Sequence, residues 1–192
     1  QNYTLTHFCK KNYMRKIILT YGLISGGIAA SLMLITVLFV NDKEDFGNGV
    51  YLGYAGIILS FVLVYFGIKS YRDKYRNGVI SFGKAFQVGI LIAVISSLIY
   101  VIAWMSYSPY LMPDFPQKYA KAQIENAKEA GKSEAEVAQV EEEMQKYLKS
   151  IENPIVYGLM TFVEPFPVGL IITLISALIL KRKTQISNTN QV

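Results

Sequence analysis

The stretch "TFVEPFPVGLIITLISALILKRK" (161–183) places an acidic residue and two prolines at the head of a long apolar run. Between Pro165 and Leu180 the run carries no charged side chain. A helix needs about 20 residues to cross the ~30 Å hydrocarbon core of a membrane, and a helix in water would keep a polar face. The stretch therefore predicts a membrane-spanning helix with Glu164 near its start.

Three more apolar stretches of similar length precede this one. The chain has 192 residues, is 52% hydrophobic and has a mean hydropathy of +0.30, which is unusual for a soluble two-domain protein. We predict an all-α polytopic membrane protein with four transmembrane helices and an extramembrane helical hairpin between the third and the fourth. The predicted spans are residues 17–40, 50–68, 85–105 and, with a proline break, 154–180.

The basic residues predict how the chain is oriented. Twelve of the 19 lysines and arginines lie before the first span, between the second and third spans, or after the fourth. Such residues accumulate on the cytoplasmic side of a membrane. Segments 1–16 and 181–192 are therefore predicted to be cytoplasmic tails, with the first 13 residues disordered, and the hairpin region 106–153 is predicted to be extracytoplasmic.

Small residues at four-residue spacing predict where the helices touch, because lipid gives helices no hydrophobic reason to associate. Each span has such a stripe: Gly22, Gly26 and Ala30; Gly49, Gly53, Gly56 and Ser60; Ala85, Gly89, Ala93 and Ser97; Gly169, Thr173 and Ala177. Segments 88–100 and 168–180 also match at 7 of 13 positions. That similarity fits either an inverted repeat, as in some transporters, or convergence of two apolar helices.

The third connection predicts two water-exposed helices, 116–130 and 134–151. Ser133 and Glu136 have the spacing of a capping box, in which each side chain bonds a backbone N–H of the other. The second helix is amphipathic. Its apolar face could pack on the first helix, rest on the membrane boundary or bind a partner protein. The candidate partner-binding residues are Val137, Val140, Met144 and Leu148.

Glu164, Pro165 and Pro167 are the first candidate functional residues. A carboxylate at the centre of a membrane costs about 2.5 to 3.5 kcal/mol, so it is a functional candidate by default. Glu164 could cap a helix that begins at Pro165, or lie inside a kinked bundle with a hydrogen-bond partner. The candidate partners near the same boundary are Tyr51, Tyr54, Tyr100 and Trp104.

Lys84 is the last candidate functional residue, and it belongs to a basic stretch (70–86) that could meet anionic lipid headgroups. Catalytic machinery is not expected. His7 is the sole histidine and Cys9 the sole cysteine, so neither a histidine relay nor a cysteine-based metal site is expected. We therefore expect no cofactor and no metal. We also expect no nucleic-acid partner, because the basic residues gather at membrane boundaries.

Two blocks of the sequence resemble a known family of bacterial integral membrane proteins. They are 66–104, with Tyr71–Arg72–Asp73, Gly78 and 81–86, and 160–183, with Glu164 and 167–169. These blocks are similar to the DUF4199 family, a domain of unknown function. The resemblance implies four helices and the bacterial cytoplasmic (inner) membrane, and it implies no activity.

Two functions fit these observations. The first is a small scaffold or accessory subunit that binds another envelope protein through its extracytoplasmic hairpin. The second is a small oligomeric transporter-like bundle that uses Glu164 to handle a solute or a proton. Contact with the lipid bilayer is expected in both cases.

Overall fold

The computed structural model describes the backbone of residues 2–39 and 46–182, and the side chains of residues 12–38 and 51–182. Most of the predicted C-terminal tail therefore lies outside the described residues, as do the side chains of His7 and Cys9. The described chain forms seven consecutive helices: α1 (Asn2–Phe39), α2 (Phe46–Tyr75), α3 (Phe82–Leu111), α4 (Phe115–Glu129), α5 (Glu134–Ser150), α6 (Pro154–Val163) and α7 (Pro165–Leu180).

Four segments are long and apolar enough to cross a membrane, which confirms the predicted class. They are Asn12–Leu38 in α1, Tyr51–Tyr75 in α2, Phe82–Leu111 in α3, and Pro154–Leu180 across α6 and α7. Each segment also exposes large apolar side chains: Leu23, Leu59, Ile102 and Ile179 are between 57% and 64% exposed. Such a surface suits lipid tails and is costly in water.

The helices are longer than the predicted spans. The first 13 residues were expected to be disordered, and this expectation is wrong, because α1 is helical from Asn2 onward. No proline or glycine occurs before Gly22, so nothing in the segment interrupts a helix. The second helix likewise continues past residue 68, until Asn77 and Gly78 adopt positive φ angles of 50° and 78°. Hydropathy marks the membrane span, whereas helix breakers set the helix ends.

The third helix is the centre of the bundle. It packs against α1, α2, α6 and α7, while α2 also packs against α1 and α7. Helices α4 and α5 pack mainly on each other. The buried apolar core draws on α1, α2, α3 and α7, and it includes Met33, Ile57, Phe61, Val64, Ile68, Val88, Ile92 and Ala177.

Glycines allow α3 to approach its neighbours closely. A Cβ atom at Gly26 of α1 would lie 2.7 Å from Ile99, and one at Gly89 of α3 would lie 2.7 Å from Thr173. A Cβ at Gly169 of α7 would lie 2.9 Å from Phe61 and 3.0 Å from Ala93. These contacts confirm that the predicted small-residue stripes mark helix interfaces. Gly53 is an exception, because its surroundings are open.

The similarity between segments 88–100 and 168–180 has a physical reason in this packing. Gly89 faces Thr173 and Gly169 faces Ala93 across one antiparallel interface. Since Gly89 matches Gly169 and Ala93 matches Thr173, the two glycines make equivalent contacts. Both helices therefore need the same order of small and large residues. Both an inverted repeat and convergence would produce such equivalent contacts, so both interpretations stay open.

A buried serine cluster joins the first three helices. The hydroxyl of Ser25 on α1 donates to the carbonyl oxygen of Ser60 on α2 at 2.8 Å. The same hydroxyl lies 3.0 Å from the Ser96 hydroxyl on α3. All three residues are at most 1% exposed. Interhelical hydrogen bonds of this kind help to hold helices together where no hydrophobic drive exists.

The close packing at Gly169 gives a direct stability prediction. We expect Gly169→Ala to lower the free energy of unfolding by about 1 to 3 kcal/mol, because the added methyl group must displace Phe61 and Ala93. The measurement is unfolding in lipid bicelles by increasing detergent, followed by Trp104 fluorescence. The matched control is Gly53→Ala, where the new Cβ would meet no described atom within 4 Å and should leave stability equal or higher. Equal stability loss in both variants would contradict the packing described for α3 and α7.

Candidate functional site

The helix interruption at Glu164 is a kink between α6 and α7. Pro165 and Pro167 lack a backbone N–H, so the carbonyls of Thr161 and Val163 lose their usual donors one turn later. The Glu164 N–H bonds the Thr161 oxygen at 3.4 Å, and the Glu164 backbone stays helical at φ −68° and ψ −60°. Its side chain makes no capping bond among the described contacts of α7. The helix is therefore interrupted at the prolines, as the sequence predicts. Glu164 lies at the kink, but its side chain does not cap α7.

The Glu164 carboxylate has one hydrogen-bond partner among the described residues. The Tyr100 hydroxyl on α3 donates to it at 3.4 Å, and Tyr100 itself is 7% exposed. Glu164 is exposed on the bundle surface, although its carboxylate lies against protein atoms on one side. Among the four candidate partners, the structure thus selects Tyr100. The residue as a whole is exposed while its bond to Tyr100 is part-buried, so Glu164 lies at the edge of the bundle, and its bond to an aromatic residue of α3 is the kind of contact expected for a kinked helix.

Aromatic side chains connect this region to the hairpin. The Trp104 indole N–H on α3 donates to the Tyr157 hydroxyl on α6 at 2.7 Å. The Trp104 ring meets Phe115 edge-on, with centroids 4.8 Å apart. Phe115 stacks on Tyr119, and Tyr119 contacts Tyr147 of α5 at 5.6 Å. We call these five residues the aromatic bridge. It links α3 and α6 at this end of the bundle to both helices of the hairpin, α4 and α5.

The bridge is uncharged at neutral pH at its hairpin end. Burial raises the pKa of Tyr147 to about 12, so its hydroxyl keeps its proton across the physiological range. Aromatic pairs of this geometry contribute about 0.5 to 1.5 kcal/mol each beyond their buried area. The bridge can therefore fix the hairpin relative to α3 and α6 without any ion pair.

The hairpin itself forms much as the sequence predicts, with α4 and α5 close to the expected 116–130 and 134–151. Ser133 and Glu136 make both bonds of the capping box, and the hydrogen bonds from Ser133 lower the pKa of the Glu136 carboxyl. Lys128 on α4 lies 3.6 Å from Glu141 on α5 and ties the two helices together on one side. Its place outside the membrane stays a prediction.

The candidate partner-binding face of α5 is only partly covered by α4. Ala120 and Ala127 of α4 are each 4% exposed, so α5 lies over them. All of α5 is described, and none of its residues is fully buried. The four candidate residues are each half-buried: Val137, Val140, Met144 and Leu148.

The opposite end of the bundle is closed by a clasp that the sequence did not reveal. The guanidinium of Arg72 on α2 donates to the Leu180 carbonyl at 3.4 Å and to Asp73 at 2.6 Å, and Arg72 is 8% exposed. Ile80 and Arg182 exchange two backbone hydrogen bonds at 3.2 and 2.9 Å. Together these contacts satisfy the Leu180 carbonyl at the end of α7 and fix the residues that follow it to the turn between α2 and α3. We call this group the clasp.

Lys84 belongs to the clasp end and not to the Glu164 region. Its ammonium donates to Gln87 at 2.8 Å on the surface, while the Ser81 side chain caps α3 through the Lys84 N–H at 3.4 Å. Sixteen residues of helix separate Lys84 from Tyr100, a distance of about 24 Å. The structure therefore does not bring Lys84 and Glu164 together.

A comparison with protein-family models matches residues 20–182 to "Protein of unknown function (DUF4199)". The chain belongs to the DUF4199 family. No match was found among curated proteins or among solved structures. Each block that carries the family resemblance contributes residues to both ends of the bundle in this DUF4199 protein. Tyr71–Arg72–Asp73 and Gly78 build the clasp, while Glu164 and 167–169 form the kink and its contact with α3.

The bond between Trp104 and Tyr157 can be tested directly, because Trp104 is the sole tryptophan. We expect Tyr157→Phe to shift the Trp104 emission and to lower stability by about 0.5 to 1.5 kcal/mol, since the indole N–H loses its acceptor. Emission spectra and detergent-driven unfolding measure the two effects. Tyr110→Phe is the matched control, because Tyr110 is 86% exposed and should change neither quantity. An unchanged spectrum in Tyr157→Phe would refute the bond.

Proposed function

We propose that this DUF4199 protein is a small accessory or scaffold subunit of the bacterial inner membrane, and that its hairpin binds another membrane protein outside the bilayer. In this proposal both termini are cytoplasmic and the hairpin is extracytoplasmic. The observation that carries the proposal is the face of α5 that α4 leaves half-covered.

The half-covered face supports binding because α4 alone cannot bury the apolar residues of this α5 face completely. Val140 and Met144 lie near the middle of α5, each half-buried, with α4 on one side of them. A third helix laid along α5 would cover the remaining apolar area. Helix-in-groove recognition uses side chains spaced in this way, three and four residues apart.

The charge of the hairpin favours a protein over a membrane surface as the occupant. Residues 115–152 contain eight glutamates and six lysines, and Glu141, Glu142 and Glu143 follow one another directly beside the apolar face. Anionic lipid headgroups would repel such a face. An amphipathic helix with basic flanks would complement it, so we propose that class of partner.

The aromatic bridge supports the same role. It holds the hairpin against α3 and α6, so that a docked partner would be placed at a fixed position beside the bundle. Interfaces gain affinity when the binding surface is already ordered. A freely swinging hairpin would lose that advantage.

The transporter-like alternative has less support. The approaches of α3 to α1 and α7 are too close for a Cβ atom at Gly26, Gly89 or Gly169, which leaves little room for a solute path within one chain. We also propose that the chain has no enzymatic activity and no nucleic-acid partner. Within the described residues, no group of three or more His, Cys, Asp or Glu side chains could hold a metal ion.

The proposal predicts a specific loss of binding. We expect Val140→Glu with Met144→Glu to abolish crosslinking of the full-length protein to its partner in native membranes, because two charges would enter the contact. The matched control is Ala135→Glu with Gln139→Glu, which adds negative charge at the same four-residue spacing on exposed positions of α5. The control should keep crosslinking near the level of the unaltered protein.

The experiment needs a folding readout, because the candidate partner-binding face of α5 also packs on α4. Circular dichroism and membrane insertion of both variants show whether the hairpin still forms. Crosslinking that persists in a folded Val140→Glu, Met144→Glu variant would overturn the proposal. An equal loss of crosslinking in the Val140→Glu, Met144→Glu variant and in its control would overturn it as well.

A further inference from the structure

Glu164 is an exposed acidic residue in a surface that is otherwise apolar, and its carboxylate is part-buried where it meets Tyr100. It is the sole charged residue of the span Pro154–Leu180. Its one described partner, Tyr100, donates a long bond of 3.4 Å. A carboxylate can accept about four hydrogen bonds, so this exposed residue keeps accepting capacity for a further donor.

The surroundings of Glu164 match the place where lipid tails meet headgroups. Leu159, Met160 and Val163 of α6 are 62%, 41% and 64% exposed, and they form an apolar surface beside the carboxylate. Glu164 lies sixteen residues from Leu180, about 24 Å along a ~30 Å hydrocarbon core. The carboxylate is therefore within side-chain reach of the headgroup layer at the hairpin end.

We propose that Glu164 binds the primary ammonium group of an ethanolamine-type phospholipid, with its acyl chains against the exposed face of α6. The charges are complementary, and an ammonium has three N–H donors for the open oxygens of the carboxylate. Tyr100, which is itself nine-tenths buried, holds the carboxylate from the protein side. The site adds a lipid ligand to the chain and does not depend on the proposed role of the hairpin.

The chemistry of the headgroups predicts which lipids the site prefers. A choline headgroup carries the same positive charge but has no N–H group to donate. A glycerol-type headgroup has hydroxyl donors but leaves the lipid with a net negative charge, which the carboxylate repels. The expected order of binding is therefore ethanolamine before choline, and choline before glycerol.

Trp104 provides the measurement, because it is the sole tryptophan and lies one helical turn from Tyr100 on α3. The full chain is reconstituted in choline-lipid vesicles that contain a small fraction of ethanolamine, choline or glycerol lipid with brominated tails, which quench nearby indoles. We expect the brominated ethanolamine lipid to quench Trp104 at about two- to fivefold lower mole fraction than the other two, as an exposed ion pair allows.

Two variants complete the test. In Glu164→Gln the shape is kept and the charge is lost, so the preference for ethanolamine lipid should disappear. In Glu152→Gln, an exposed acid at the base of the hairpin, the preference should remain. Equal quenching by all three lipids in the unaltered protein would overturn the proposal, as would a preference that survives in Glu164→Gln. If Glu164 instead pairs with a basic side chain of a partner protein, the purified chain will show no lipid preference, and the lipid site is refuted.

Discussion

The close approach of α3 to its neighbours is the constraint on which the rest of the structure depends. In a membrane the surroundings are as apolar as the side chains, so burying leucine against leucine gives no association energy. The bundle holds together because glycines at 26, 89 and 169 bring backbones near enough for many van der Waals contacts. The buried serine cluster then fixes which faces meet, since a misaligned helix would leave these hydroxyls without partners.

The two ends of the bundle solve different problems. At the clasp end, Arg72 satisfies the Leu180 carbonyl of α7, and the backbone pair of Ile80 and Arg182 holds the residue beyond the helix in place. At the hairpin end, prolines interrupt the last span and turn Glu164 outward, while the aromatic bridge fixes the hairpin. The contacts at the clasp end hold α7 against the turn between α2 and α3. The hairpin end presents a half-covered apolar face and a single carboxylate, and both proposals for ligands concern it.

Part of the candidate site was predictable from sequence. Glu164 stood out because a charge in an apolar run is costly, and Pro165 and Pro167 predicted the interruption because proline removes a donor. Tyr100 was named only as one of four possible partners, since several aromatic residues lie at the same depth. Tyr157 was missed entirely, because nothing in its local sequence separates an interface tyrosine from one that accepts a buried indole bond. Arg72 was interpreted only as part of the basic inner side, because its contact with Leu180 joins residues far apart in the chain.

The sequence by itself determined that this is a membrane protein with four spans and a helical hairpin, because hydropathy, proline and capping residues act locally along the chain. The packing of the helices shows which small residues form contacts, which tyrosine reaches Glu164 and how far that residue is exposed. Those outcomes depend on the rotation and register of one helix against another. A single sequence does not contain that information in any local pattern, since many rotations place equally apolar surfaces in contact.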